Sequence, residues 1–209
     1  VQTCALPIYE QVKVIPVQPG WYDPSHLLGY VNPLQEASYR STPFLDLLLL
    51  AADNPTQPHV VILDNVRSLH NVGSVFRTSD AYCVEKVILC GITATPPNAE
   101  IHKSALGAEF SVDWAYYKET TEAVNELKQA GYTVLAIEQA HDSINMDTFK
   151  AEKGNKYAVI LGNEVKGVQQ SVIDLSDDCL ELPQFGTKHS LNVSVTAGIV
   201  IWEFAKLFR

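Results

Sequence analysis

The chain has 209 residues, 46% of them apolar, and a formal net charge of −9, a size that supports one sizeable core with room for a small appendage. Its longest obvious apolar run, Phe44–Ala52, is broken by Asp46 and too short to span a membrane, and no charged-then-apolar leader is visible. Cys4, Cys83, Cys90 and Cys179 make no CxxC pair and no Cys/His ligand spacing, so neither zinc nor a disulfide framework is suggested, and a reducing, cytoplasmic setting fits best.

Residues 1–58 hold eight of the eleven prolines, which argues against a regular domain there. One short helix, about Phe44–Asp53, is expected in this extension. The texture changes at His59. Val60–Leu63 reads as a strand, and Val72–Tyr82 has helix spacing with Val72, Val75, Phe76 and Ser79 on one face. Lys86–Cys90 is a strand, Thr120–Ala130 a helix ended by Gly131, and Tyr132–Ile137, Tyr157–Leu161 and Cys179–Leu182 are further strands. Leu191–Phe208 is the last helix. The alternation predicts an α/β fold, a mostly parallel sheet with helices on both faces, in a domain spanning 59–209.

The last helix carries two apolar stripes. Val193, Ala197, Val200, Ile201 and Phe204 form one; Val195, Ile199 and Trp202 form the other. A helix apolar on two sides is buried on two sides, either inside a larger core or against a second copy of the chain.

Charge argues against a nucleic-acid partner, because phosphate contacts come from Lys and Arg, and residues 59–209 hold 13 basic against 19 acidic residues. A nucleic-acid site would need its cations clustered. Arg67, Arg77, Lys103, Lys166 and Lys188 all lie in or beside three polar, Gly-containing loops. Those loops follow apolar runs: Asn71-Val-Gly-Ser-Val-Phe-Arg77, Leu161-Gly-Asn-Glu-Val-Lys-Gly167 and Ser190-Leu-Asn-Val-Ser-Val195. The sequence after Leu63 has no G-x-G-x-x-G, and no G-x-x-x-x-G-K-[ST] occurs, which disfavours a Rossmann dehydrogenase and a P-loop enzyme.

Taken singly, each of these residues has an ordinary role available. Asn71, Ser190 and Asn192 are helix-capping types. Arg77 is in reach of Asp80 or Glu85 on a solvated helix, and lies one turn after Gly73, whose missing side chain leaves space for the guanidinium. Glu164 is a loop acid. Gly162 is a strand-end turn or a point of close approach to a ligand, and Leu182 and Leu191 are core or the wall of an apolar slot.

In this order the three segments resemble the signature motifs of the SpoU/TrmH family, RNA ribose 2′-O-methyltransferases of the SPOUT superfamily, over about residues 58–209. The first motif falls on Asn71, Gly73 and Arg77, the second on Gly162, Glu164 and Gly167, the third on Ser190 to Val195. The resemblance implies a C-terminal deep trefoil knot and a homodimer. It implies S-adenosylmethionine (AdoMet) bound at Gly162, Leu182 and Leu191, with catalysis at Asn71, Arg77, Glu164, Ser190 and Asn192. It implies methyl transfer to a ribose 2′-hydroxyl of tRNA or rRNA, with no metal. In that setting Arg77 holds a substrate phosphate and polarises the hydroxyl, because a guanidinium with a pKa above about 12 is a poor base. Two other readings share the fold: a non-catalytic RNA-binding or assembly module, and a SPOUT enzyme that methylates a base nitrogen. The sequence departs from the pattern at Gln184, where many relatives have Met, at Thr196, and in an N-terminal extension that is not basic.

Overall fold

The computed structural model describes residues 57–187 and 190–208, together with Thr3–Cys4, Ile15–Pro16, Tyr30–Val31, Tyr39–Arg40, Thr42 and Leu45–Asp46. The chain divides into two compact units, Val1–Pro55 and Thr56–Arg209. In the first, β1 (Thr3–Cys4) pairs antiparallel with β2 (Ile15–Pro16), and β3 (Tyr30–Val31) with β4 (Tyr39–Arg40). The helix expected over 44–53 falls largely outside the described residues.

The second unit is built on a seven-stranded sheet in the order β7-β6-β5-β10-β8-β11-β9. Its strands are β5 (Gln57–Asp64), β6 (Val84–Cys90), β7 (Trp114–Tyr117), β8 (Tyr132–Ile137), β9 (Ile144–Asn145), β10 (Lys156–Leu161) and β11 (Asp178–Glu181). Every pairing in it is parallel. β5 and β10, at the centre, are continuous apolar runs because both faces are covered. Val61 and Leu63 enter one core, Val60 and Ile62 the other.

Helices α1 (Leu69–Ala81), α2 (Ala99–Ala105) and α5 (Val193–Ala205) supply the first core; α3 (Thr120–Gln129) and α4 (Gln170–Ile173) supply the second. The mostly parallel α/β architecture read from the sequence is present. The strand Trp114–Tyr117 and the helix Ala99–Ala105 were not legible. The strand is a half-exposed edge, and the helix is only seven residues long, started by the Asn98 side chain accepting from Glu100 N at 2.9 Å.

In α5 the two stripes separate. Val193, Ala197, Val200, Ile201 and Phe204 are buried, whereas Val195 is 51% and Ile199 39% exposed. Trp202 is half-buried and meets the Tyr82 ring edge-on at 5.5 Å. Among the described residues no helix is long and apolar enough to cross a membrane.

Candidate active site

The loops at the C-terminal ends of the strands carry the three motifs, where a parallel sheet presents its ligand sites. The loop after β10 is a tight return. Asn163 and Gly167 exchange backbone hydrogen bonds, and the Asn163 side-chain oxygen accepts from Val165 N at 2.9 Å and Lys166 N at 3.1 Å. Gly162 is required by this return: a Cβ there would lie 2.2 Å from the backbone of Gly167 and Val168. The protein's own chain, rather than a ligand, fills the space beside it.

The return presents Glu164 to the start of α1. Its carboxylate accepts from Arg67 N (3.0 Å), Ser68 N (2.9 Å) and Asn71 Nδ2 (3.2 Å). The helix is capped by Ser68, whose hydroxyl accepts from Asn71 N at 3.3 Å, so Asn71 is not the cap and its amide is available elsewhere. Its oxygen accepts from Asn192 Nδ2 at 3.2 Å. Asn192 caps α5 by accepting from Ser194 N at 2.8 Å, doing both jobs with one side chain. A chain Glu164–Asn71–Asn192 thus joins one residue from each motif. Burial raises the Glu164 carboxyl's pKa, but the Arg67 and Ser68 amides and the Asn71 side chain outweigh it and hold it below the ordinary 4.5.

A cleft of about 200 Å³ opens beside this chain. Ile137, Leu161, Leu182, Leu191 and Val193 give it an apolar floor; Glu138, Gln139, Asn163, Gln184, Ser190 and Thr196 give it a polar rim. Gly162, Leu182, Leu191 and Ser190 are all in its lining. Leu182 is buried while Leu191 is 43% exposed, a large apolar side chain held open to the cleft. No Lys or Arg among the described residues lines it. Glu138 and Asn163 carry no signal in the sequence, because nothing local distinguishes them from other loop-end polar residues. Gln184 and Thr196 stand out in the sequence only as departures from a pattern.

Arg77 is exposed and stands apart from this chain. Six residues beyond Asn71, it lies roughly 9 Å along the helix axis and on another side of α1. It pairs with neither acid proposed for it: Ser111 donates to Asp80 at 2.5 Å, and the Tyr132 hydroxyl to Glu85 at 2.6 Å. Gly73 does not make room for the guanidinium either. It is buried, and a Cβ there would meet Ser104 Oγ at 2.2 Å and Ile101 O at 2.3 Å, so the glycine lets α2 pack on α1. Of the loop cations, Lys103 is paired with Glu100 at 2.6 Å, and Lys188 lies outside the described residues. Arg67, Arg77 and Lys166 are exposed, and none has a side-chain ion pair or hydrogen bond to the described residues.

The protein thus has a parallel α/β domain whose strand-end loops close on one another around an amphipathic cleft. The sequence model of the SpoU rRNA Methylase family matches residues 58–202, and the chain belongs to that family. It is 32% identical over 146 residues to the 23S rRNA (guanosine-2′-O-)-methyltransferase RlmB of Neisseria meningitidis serogroup B, a match covering 70% of this chain and 57% of that protein. It is 29% identical over 147 residues to the tRNA (guanosine(18)-2′-O)-methyltransferase of Aquifex aeolicus, covering 69% and 67%. Among solved structures, the AdoMet-bound rRNA methyltransferase from Sinorhizobium meliloti superposes with a TM-score of 0.66 at 28% identity, over 71% of this chain and 56% of that one. The chain therefore spans little more than half the length of the RlmB relative.

Proposed function

We propose that this chain transfers a methyl group from S-adenosylmethionine to a ribose 2′-hydroxyl of tRNA or rRNA. The observation that carries the reading is the Glu164–Asn71–Asn192 chain, which ties three motif loops together at the edge of the cleft. A phosphate-rich dinucleotide would need cations or a glycine-rich helix start, and the described lining offers neither. An apolar floor with a carboxylate-bearing rim instead suits a ligand with a flat aromatic end and a positive centre, which is the chemistry of AdoMet. Leu182 and Leu191 would flank the adenine, and the Gly162 turn would supply backbone groups. AdoMet supplies, when bound, an electrophilic methyl on a good leaving group.

The residues' task is then alignment. Asn71 and Asn192, fixed by Glu164, would orient the ribose, with Ser190 at the rim, and the cleft would exclude water from the acceptor oxygen. Arg77 would hold a substrate phosphate and polarise the hydroxyl, the proton leaving through phosphate or water. Its exposure, and its lack of a partner among the described residues, leave the guanidinium fork available. Residues 59–209 would act as the methyltransferase domain behind the Pro-rich extension 1–58. The return of the chain from β11, near the far side of the sheet, to α5, packed on α1, supports a C-terminal trefoil knot. The exposed stripe Val195–Ile199 would close a homodimer in the cytoplasm.

The test is to map 2′-O-methyl sites in total tRNA and rRNA with and without the gene. The expected result is the loss of one or a few ribose methylations, restored by the wild-type gene and not by Arg77→Ala. Unchanged ribose methylation together with a lost base methylation would favour the nitrogen-methylating reading.

A further inference from the structure

A second cleft of about 340 Å³ lies at the same end of the sheet, over β5, β6 and β7, and the motifs do not reach it. Its floor is fixed from below by Asp64, a fully buried carboxylate at the end of β5. Asp64 accepts from Thr120 Oγ1 (2.6 Å), Asn65 Nδ2 (2.8 Å), Gln169 Nε2 (2.9 Å) and Gln169 N (3.0 Å). Asn65, Thr120 and Gln169 all line the cleft. Asn65 is itself held in a left-handed conformation (φ 57°), its side-chain oxygen accepting from Ile92 N at 3.1 Å. The same carboxylate ties the end of β5 to the starts of α3 and α4.

The walls differ from the floor. Ile92 is 65% and Tyr116 48% exposed, apolar surface left in water beside the exposed Lys118 and Glu119. The Tyr116 hydroxyl donates to Gly91 O at 3.0 Å, which pins the ring in place without burying it. A fixed, exposed aromatic ring, an aliphatic neighbour, the Lys118 ammonium and the Glu119 carboxylate make up the set that holds an unstacked nucleobase. The ring stacks, the ammonium meets a phosphate, and the Glu119 carboxylate accepts from base N–H groups.

The two clefts adjoin. Asn163, in the lining of the first, donates to Asn65 O, in the second, at 2.7 Å, and Gln169 of the second follows Gly167 of the first by two residues. The exposed Arg67 side chain stands on the intervening segment, and that of Lys166 on the return after β10.

We infer that this second cleft holds the base of a nucleotide neighbouring the acceptor nucleotide, with the RNA backbone crossing the Arg67 and Lys166 ridge between the clefts. The inference rests on the RNA-methyltransferase reading and adds a recognition site to it.

The test is anisotropy of a fluorescein-labelled, short single-stranded RNA of mixed sequence on the full chain, beside AdoMet calorimetry on the same proteins. Tyr116→Ala should weaken RNA binding about tenfold, and Tyr116→Phe, which keeps the ring and loses the Gly91 bond, should stay near wild type. AdoMet affinity should be unchanged in both. Equal RNA affinity in wild type and Tyr116→Ala overturns the inference and leaves the methyltransferase reading intact. Equal loss in Tyr116→Phe and Tyr116→Ala also overturns it, since the hydroxyl would then serve only the fold of the edge. A wild-type chain that binds AdoMet but no RNA overturns the inference together with the RNA reading.

Discussion

The two clefts at the C-terminal edge of the sheet are neighbours built on opposite plans. The first has an apolar floor, no described cation and a rim tied by neutral and acidic side chains from three loops. The second has a polar floor hung on one buried carboxylate and exposed apolar walls with a lysine at the edge. The contrast separates two chemical tasks. One site suits a small amphipathic molecule that carries its own positive charge. The other suits a base attached to a polyanion.

The plans also differ in how far the sequence exposes them. Motif residues touch one another, so their spacing is constrained within short windows, and the first cleft is announced by Asn71, Glu164 and Asn192. The second is assembled from Asp64, Tyr116, Thr120 and Gln169, whose relation is spatial only. Its local trace in the sequence is an acid closing the apolar run Val60–Leu63. The stripes of α5 were legible because burial follows the helical period. Gly162 is legible in the sequence as a strand-end turn, Gly73 only as a glycine. Gly73 and Gly162 both turned out to admit the protein's own backbone and helices.

The largest effect is expected from the residue outside both clefts. Arg77→Ala should lower single-turnover methyl transfer by about 10²–10³, on the order of 3–4 kcal/mol, with AdoMet affinity retained. Arg77→Lys should not restore it fully, because an ammonium lacks the planar fork. Near-normal turnover in Arg77→Ala would remove it from the chemistry.

Gly162→Ala should act on the first cleft through the fold. Its Cβ meets backbone, which cannot swing aside, so a loss of about 2–3 kcal/mol in urea unfolding is expected, with AdoMet binding weakened as well. Asp64→Asn should do the reverse. It leaves amide donors facing donors at the second floor and costs about 1–3 kcal/mol, and it should weaken RNA more than AdoMet. If it weakened AdoMet more, the two clefts would not be separable sites.

Ile199→Asp, on the exposed stripe of α5, should give a monomer in sedimentation at micromolar concentration where the wild type gives a dimer. A monomeric wild type would return that stripe to ordinary surface. The smallest effect is on pH. Glu164 has a folded pKa below its ordinary value, so the stabilisation its chain provides is fully present above that value and is lost as pH falls through the lower, folded one. AdoMet affinity should be flat between about pH 8 and pH 5 and fall only below that range. In Glu164→Gln the fall should be absent, from a weaker starting affinity.

The most direct measurement is calorimetric titration of the full chain with AdoMet, beside Leu191→Asp, whose side chain is exposed in the cleft and not needed by the core. The account predicts a saturable heat with a dissociation constant around micromolar, roughly −8 kcal/mol, weakened at least about tenfold in Leu191→Asp. No heat at saturating AdoMet, or equal affinity in the two proteins, would contradict it.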